Sequence, residues 1–310
     1  MHINLNKQQL EAIEHSEGPL LILSGAGTGK TTTLIEKIIY LINNKKVNPQ
    51  EILTITFTVN SANNLKSKLF ERIGDKGESV YADTFHAFSH KIINDNYKLF
   101  GYKKKPHLIS DSESYFLIKE NFDRLNINSE LYRRSPIEAI KSMKLLFDKI
   151  RHNLIKLEIL KEPRSDKNLK EDYIENADYI SQLQDAINIY PLFQDWKKKD
   201  HKIDYGDMIL LIWKLLESNQ KFKENIQKKY KYILVDEFQD NNYALSQIIK
   251  IIGYPDMNIT VVGDDDQSIY SFRGASLGNI KDFRDSFINH RKYKEVTLYK
   301  NYRSTQHILD

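Results

Sequence analysis

The chain has 310 residues, 40% of them apolar and 28% charged, with no cysteine and a formal charge of +4. That length calls for two domains, or one domain with a large insertion, and the composition suits a soluble protein with a sizeable core. Disulfides and thiolate metal sites are excluded, and no apolar stretch approaches the roughly 18 residues of a membrane span. Met1-His2-Ile3-Asn4 is no signal-peptide start, so a cytoplasmic protein without a membrane partner is expected. The net positive charge permits a polyanionic partner without demanding one, and the whole excess lies between Lys98 and Ile203.

At the start, Asn6 is placed to cap a short helix carrying Gln9 and Ile13 on one face. An apolar run, Leu20 to Leu23, leads into Ser24-Gly25-Ala26-Gly27-Thr28-Gly29-Lys30-Thr31-Thr32-Thr33, and Leu34, Ile35, Ile38, Ile39, Leu41 and Ile42 follow at helical spacing. Strand, glycine-rich turn and helix is the order of a phosphate-binding loop, where backbone N–H groups and a helix N-terminus converge on an anion. Lys30 then reaches the β/γ-phosphates and Thr31 ligates Mg²⁺, although Ser24 stands where the strict pattern has Gly. Just upstream of such a loop, the Gln9 amide, both donor and acceptor, is a candidate to read an adenine edge.

The βα unit repeats. Ile52 to Phe57 is β-branched and apolar, Ser61 to Ile73 is helical with Leu65 and Leu69 one turn apart, and Val80 to His86 is a third strand-like run. Alternating strands and helices imply a mostly parallel sheet with ligands at the carboxyl ends of its strands, where Phe57, Thr84 and His86 fall. From these residues alone, a core Phe and a surface His serve equally well. Between about Lys98 and Ile203 the strand signals disappear and a polar helical pattern takes over. Its basic clusters Lys103-Lys104-Lys105, Arg133-Arg134 and Lys197-Lys198-Lys199 read as solvated faces before they read as nucleic-acid contacts.

The α/β pattern resumes with Tyr232-Ile233-Leu234-Val235-Asp236-Glu237-Phe238-Gln239-Asp240, a buried strand ending in two carboxylates. Paired with the phosphate loop, Asp236 can hold Mg²⁺ and Glu237 can orient or deprotonate an attacking water. Ile259 to Asp264 is a further strand, and its Asp264-Asp265-Asp266 lacks the alternate spacing of a calcium loop. Beyond it, Gln267 is a candidate γ-phosphate sensor, and Tyr270 and Phe272, with Arg273 beside them, offer faces for base stacking. In Leu298-Tyr299-Lys300-Asn301-Tyr302-Arg303-Ser304, Arg303 is a candidate arginine finger.

Taken together, Leu5-Asn6…Gln9, the loop from Ser24 to Thr32, Thr56-Phe57-Thr58, Thr84-Phe85-His86, Asp204-Tyr205-Gly206-Asp207, Asp236 to Asp240, Gly263-Asp264…Gln267 to Ala275, and Asn301-Tyr302-Arg303-Ser304 resemble, in order, a superfamily 1 DNA helicase of the UvrD/Rep/PcrA type. The resemblance implies an α/β fold: a RecA-like P-loop domain with a mostly parallel sheet (1A, residues 1–97 and 204–293) and an inserted α-helical subdomain (1B, 98–203). Residues 294–310 would begin a truncated domain 2A. It further implies ATP and Mg²⁺ as cofactors. Gln9 would read adenine and Tyr302 stack on it; Lys30, Gln267 and Arg303 would approach the γ-phosphate; Thr31 and Asp236 would hold the metal and Glu237 act as base. Phe57, Thr84, His86, Tyr270 and Phe272 would line a DNA path, with Arg273 coupling it to ATP.

The implied partner is single-stranded DNA or a single/double-strand junction, traversed 3′-to-5′ with a second RecA-like domain in cis or trans. On this resemblance the present chain binds ATP-Mg²⁺, and single strands weakly, without unwinding duplex alone. Two other readings stay open: a DNA-stimulated ATPase switch in a nuclease or defence complex, and a non-catalytic DNA-binding module. Thr32 and Phe272 stand where relatives often have Arg and Trp, Val59-Asn60-Ser61 replaces a common Asn-Lys-Ala, and Gly206 occupies a position often acidic.

Overall fold

A computed structural model describes residues 4–158, 177–264 and 278–303. The chain forms two units, Met1–Phe88 with Trp213–Asp310, and Ser89–Ile212.

The first unit is a six-stranded sheet wrapped by helices. Helix α1 (Lys7–Glu14) precedes β1 (Leu20–Ser24) and α2 (Lys30–Asn43); β2 (Ile52–Thr56), α3 (Val59–Ile73), a one-turn α4 (Asp75–Glu78) and β3 (Tyr81–Thr84) follow. The strand order is β3-β2-β6-β7-β1-β8, with β6 at Tyr232–Val235, β7 at Ile259–Gly263 and β8 at Lys294–Leu298. Every pairing is parallel. All five residues of β2 and of β7 are buried, as strands covered on both faces require. The apolar stripe of α2, Leu34, Ile38 and Leu41, packs with Leu20, Ile22 and Val262 in the core beneath it.

Because the strands are parallel and in register at Thr56↔Thr84, Ile55↔Val235, Leu23↔Gly263 and Ser24↔Leu298, their carboxyl ends share one edge. Two boundaries differ from the sequence expectation. Lys294–Leu298, assigned above to the start of a following domain, is instead the sixth strand, paired with β1 from Leu20↔Lys294 to Ser24↔Leu298. Its alternating burial, with Val296 and Leu298 inward, is that of an edge strand with one face on the core. Phe85 and His86 belong to α5 (Phe85–Asp95) rather than to β3, because the Thr84 hydroxyl accepts the Ala87 N–H and starts the helix.

The second unit is helical: α6 (Asp111–Asn121), α7 (Glu130–Arg134), α8 (Pro136–His152), α9 (Ala177–Lys199) and the start of α10 (Tyr205–Ser218). Residues before and after this run also form a two-residue parallel ladder, β4 (His107–Leu108) with β5 (Lys202–Ile203), too short to leave a strand pattern in the sequence. Phe147 stacks on Phe193 and packs at a tilt against Tyr190 in its core, with Ile140, Met143 and Ile189.

Beside that core lies a buried ion network. Arg151 donates to both carboxylate oxygens of Asp204 (2.7 and 2.8 Å) and to Asp207 (3.1 Å), and Lys197 donates to Asp204 (2.7 Å) and Asp207 (2.6 Å). The two carboxylates also cap α10 reciprocally, Asp207 N–H to Asp204 at 2.9 Å and Asp204 N–H to Asp207 at 3.0 Å. Lys197, read above as part of a solvated cluster, therefore points inward at 1% exposure and lies 4.1 Å over the Phe193 ring. The geometry also accounts for Gly206: a Cβ there would lie 2.5 Å from Arg151 Nε. The first unit is completed by α11 (Gln220–Lys229), α12 (Tyr243–Gly253) and α13 (Asn279–Phe287).

Candidate nucleotide site

The loop between β1 and α2 has the backbone of an anion cradle. Gly27 (φ +77°) and Gly29 (φ +89°) occupy the left-handed region that a side chain disfavours, and Gly29 caps α2 without a side chain of its own. Thr28 braces the turn by donating its hydroxyl to Gly25 O at 2.8 Å, and Thr33 does the same to Gly29 O at 3.0 Å. Ser24 is buried at the end of β1, and its hydroxyl finds no partner among the described residues. Gly25 and Ala26 are exposed. Lys30, Thr31 and Thr32 open α2 and line a cleft of about 340 Å³ together with Gly27, Gly29, Asn64, Lys68, Glu237, Tyr302 and Arg303.

The segment after β8 lies directly on the loop. Asn301 Nδ2 donates to Ala26 O (2.8 Å), its Oδ1 accepts from Arg303 N–H (2.8 Å), and Tyr302 N–H donates to Gly27 O (2.8 Å). A Cβ on Gly27 would meet Arg303 Cβ and Asn301 Nδ2 at 2.8 Å, so this glycine is needed for close approach as well as for its φ. From the other side, Asn6 Nδ2 donates to Tyr302 Oη (2.9 Å). Gln9 is 3% exposed: its Oε1 accepts from Asn6 N–H (3.0 Å), completing a capping box, and its Nε2 reaches Thr28 O at 3.4 Å. A second lone pair and a second amide hydrogen of that side chain remain for another group.

The acidic side of the cleft comes from the end of β6. Lys30 Nζ and Glu237 Oε2 form an ion pair at 3.2 Å. Glu237 adopts a left-handed backbone (φ +48°), a conformation that costs a non-glycine residue on the order of 1–3 kcal/mol and persists only where the surrounding structure holds it. Gln239 fixes its carboxylate, donating Nε2 to Glu237 Oε2 (2.8 Å) while accepting from Asp264 N–H (3.1 Å), and so ties the ends of β6 and β7. Burial pushes the Asp236 carboxyl up to about 6, with the Glu237 charge adding to it. Asp240 is raised to about 6 for the same two reasons.

Of the proposed DNA-contacting residues, Phe57 follows β2, Thr84 ends the adjacent β3, and His86 lies in the first turn of α5; all three are half-buried at the carboxyl edge. Gln267, Tyr270, Phe272 and Arg273 lie outside the described residues. Sequence reasoning missed four contributors: Asn301, Gln239, Asn64 and Lys68. The first two stand inside motifs already quoted, and Asn64 and Lys68 share the four-residue spacing that puts side chains on one helix face.

The residues fit a nucleoside triphosphate with Mg²⁺. The glycines leave a hollow that Cβ atoms would fill, a helix N-terminus and Lys30 supply positive charge, and the raised Asp236 carboxyl marks a place where a cation would relieve buried negative charge. Among the described residues no cluster of three or more acidic or histidine side chains forms a metal cage. Mg²⁺ suits such a site, since it commonly takes one or two protein oxygens and completes its shell with phosphates and water.

Strand, cradle, lysine and strand-end carboxylates on an all-parallel sheet define a RecA-like P-loop nucleotide-binding protein. The chain belongs to the UvrD/REP helicase N-terminal domain family, whose model matches residues 5–288. It is 33% identical over 308 residues to the ATP-dependent DNA helicase PcrA of Staphylococcus epidermidis and, equally, to that of Staphylococcus aureus. Each match covers 99% of this chain and 39% of the relative, so the chain spans about two-fifths of the length of these curated proteins. Among the described residues no helix is long and apolar enough to cross a membrane.

Proposed function

We propose that the chain is the N-terminal ATPase part of a 3′-to-5′ DNA helicase or translocase, taking ATP-Mg²⁺ in the cleft above α2 and single-stranded DNA along the carboxyl edge of β2 and β3. The observation that carries this is the ion pair across the cleft: the ammonium of the phosphate loop and the carboxylate at the end of β6 face one space, with Tyr302 and Arg303 on its rim. The matched relatives, named as ATP-dependent DNA helicases, support the same reading. The inserted helical subdomain of this proposal, residues 98–203, falls within the Ser89–Ile212 unit, and a second RecA-like domain, in cis or trans, is the partner that closes over the nucleotide.

Within it, incoming phosphates draw Lys30 away from Glu237. The freed carboxylate, still oriented by Gln239, accepts the proton of the attacking water. Thr31 and Asp236 would hold Mg²⁺, which would supply charge neutralisation to the bound triphosphate. Gln9 and Tyr302 take the adenine, and Arg303 answers the charge on the γ-phosphate. The test is titration of this chain with a fluorescent ATP analogue and with a 16-nucleotide oligo-dT. Both should bind, and Lys30→Ala should abolish nucleotide binding while leaving the oligonucleotide bound. Unchanged nucleotide affinity in that variant refutes the loop assignment, and no binding of the oligonucleotide refutes the DNA reading.

A further inference from the structure

About two turns beyond Lys30, the phosphate-loop helix buries a second lysine. Lys37 is 2% exposed and sits between the core residues Leu34, Ile38 and Leu41. An ammonium withdrawn from water is tolerated when its hydrogens find acceptors, and here they do. Lys37 Nζ donates to Ala12 O at 3.0 Å and to His15 O. Both carbonyls belong to the C-terminal end of α1, Ala12 in its last turns and His15 as its cap. Carbonyls at a helix C-terminus lack intrahelical partners and carry partial negative charge; α1 has no basic residue in its own last turn, so the cation comes from α2.

The opposite end of α1 stands on the nucleotide cradle. Gln9 reaches Thr28 O, a Cβ on Gly29 would fall 2.6 Å from Gln9 Nε2, and Asn6 holds the Tyr302 hydroxyl. Helices α1 and α2 thus close a frame, with Gln9 against Thr28 and Gly29 at one end and Lys37 against Ala12 and His15 at the other. Eight residues of helix span about 12 Å, short enough to act as one rigid strut. A strut released at its C-terminal end would shift the two side chains presented at its N-terminal end.

We propose that Lys37 is a positioning residue for base recognition, its ammonium holding α1 in the register that presents Gln9 and the Asn6–Tyr302 pair to the purine of a bound nucleoside triphosphate. The inference rests on reading the cleft as an ATP site with Gln9 at the adenine. Lys37 touches no nucleotide and acts through α1. The charged and titratable groups facing it are His15, pushed down to about 4 by burial, Lys37 and Lys294, and Lys294 itself, which pairs with Glu11 at 3.0 Å. Burial and Lys294 lower the Lys37 ammonium to about 7, so its hold on α1 weakens as pH rises through neutrality.

The experiment compares affinities for fluorescent ATP and GTP analogues and for inorganic tripolyphosphate in the wild-type chain, Lys37→Met, Gln9→Ala and the double variant. Lys37→Met should lower the ATP-over-GTP preference about threefold to tenfold, the scale of one or two hydrogen bonds, with tripolyphosphate affinity held within about twofold. The double variant should prefer ATP no less than Gln9→Ala alone. Equal losses for ATP, GTP and tripolyphosphate overturn the proposal, because they describe general loosening of the loop. An unchanged preference in Gln9→Ala overturns the adenine reading itself, which separates the two failures. If Lys37→Met does not fold, Lys37→Gln, which keeps a donor for the same carbonyls without the charge or the full reach, decides: a lowered ATP-over-GTP preference with tripolyphosphate affinity held supports the inference, and an unchanged preference refutes it.

Discussion

Gly27 and Gly101 have nearly the same backbone angle, φ +77° and +78°, and different surroundings. Alanine at either position pays the left-handed strain of about 1–2 kcal/mol. At Gly101 the new methyl would meet Lys198 Nζ at 3.6 Å, an ordinary contact, so strain is the whole effect. At Gly27 it would fall 2.8 Å from Asn301 Nδ2 and Arg303 Cβ, and Asn301 would have to leave Ala26 O and Arg303 N–H. Two hydrogen bonds at roughly 0.5–1.5 kcal/mol each bring the expected loss for Gly27→Ala to about 2–5 kcal/mol, against about 1–2 for Gly101→Ala. Because Tyr302 N–H is also displaced from Gly27 O, ATP affinity should fall at least about tenfold in Gly27→Ala and stay unchanged in Gly101→Ala. Calorimetric unfolding and titration with a fluorescent ATP analogue measure both. Equal destabilisation with equal affinity would refute the claim that the segment after β8 holds the loop in place.

Glu237→Gln should leave ATP binding within about threefold in this chain, while hydrolysis by the protein that also carries the second RecA-like domain, followed as phosphate release, drops about 10²- to 10⁴-fold; full turnover there would remove Glu237 from the role of base. Lys197→Met leaves Asp204 and Asp207 with Arg151 as the one cation donating to both, and urea unfolding should show a loss of about 3–5 kcal/mol, a loss under about 1 kcal/mol contradicting the network's role. His15 titrates near 4 when folded and near 6.5 when unfolded, so the unfolded chain binds more protons between those values and stability falls as pH drops through that window. His15→Asn should flatten this part of the pH profile of the urea midpoint, and an unaltered slope would show that the ring is not the source.

The parts of the site that a local pattern specifies were legible in the residues alone. Glycines at a strand-to-helix junction, a lysine after them and paired carboxylates closing an apolar strand each follow from short-range geometry, and the structure brings Lys30 and Glu237 together accordingly. What escaped depends on contacts distant in sequence. Asn301 is a polar residue in a polar run until the fold lays it on Ala26, and nothing nearby announces that Lys197 turns inward to Asp204 and Asp207 while Lys198 and Lys199 remain exposed. Strand β8 escaped for a related reason: its alternation of inward and outward residues spans five positions, and only pairing with β1 settles which sheet it joins.

The buried charges of the 89–212 unit also set how that unit answers to salt. Mobile ions screen contacts that water reaches and hardly touch pairs that are buried, and Arg151, Lys197, Asp204 and Asp207 are each less than a tenth exposed. Phosphate contacts with a nucleic acid have the opposite character, since each one formed releases counterions and weakens as salt rises. Ionic strength is therefore a means of stripping a bound strand from this protein while the helical unit keeps its ion network.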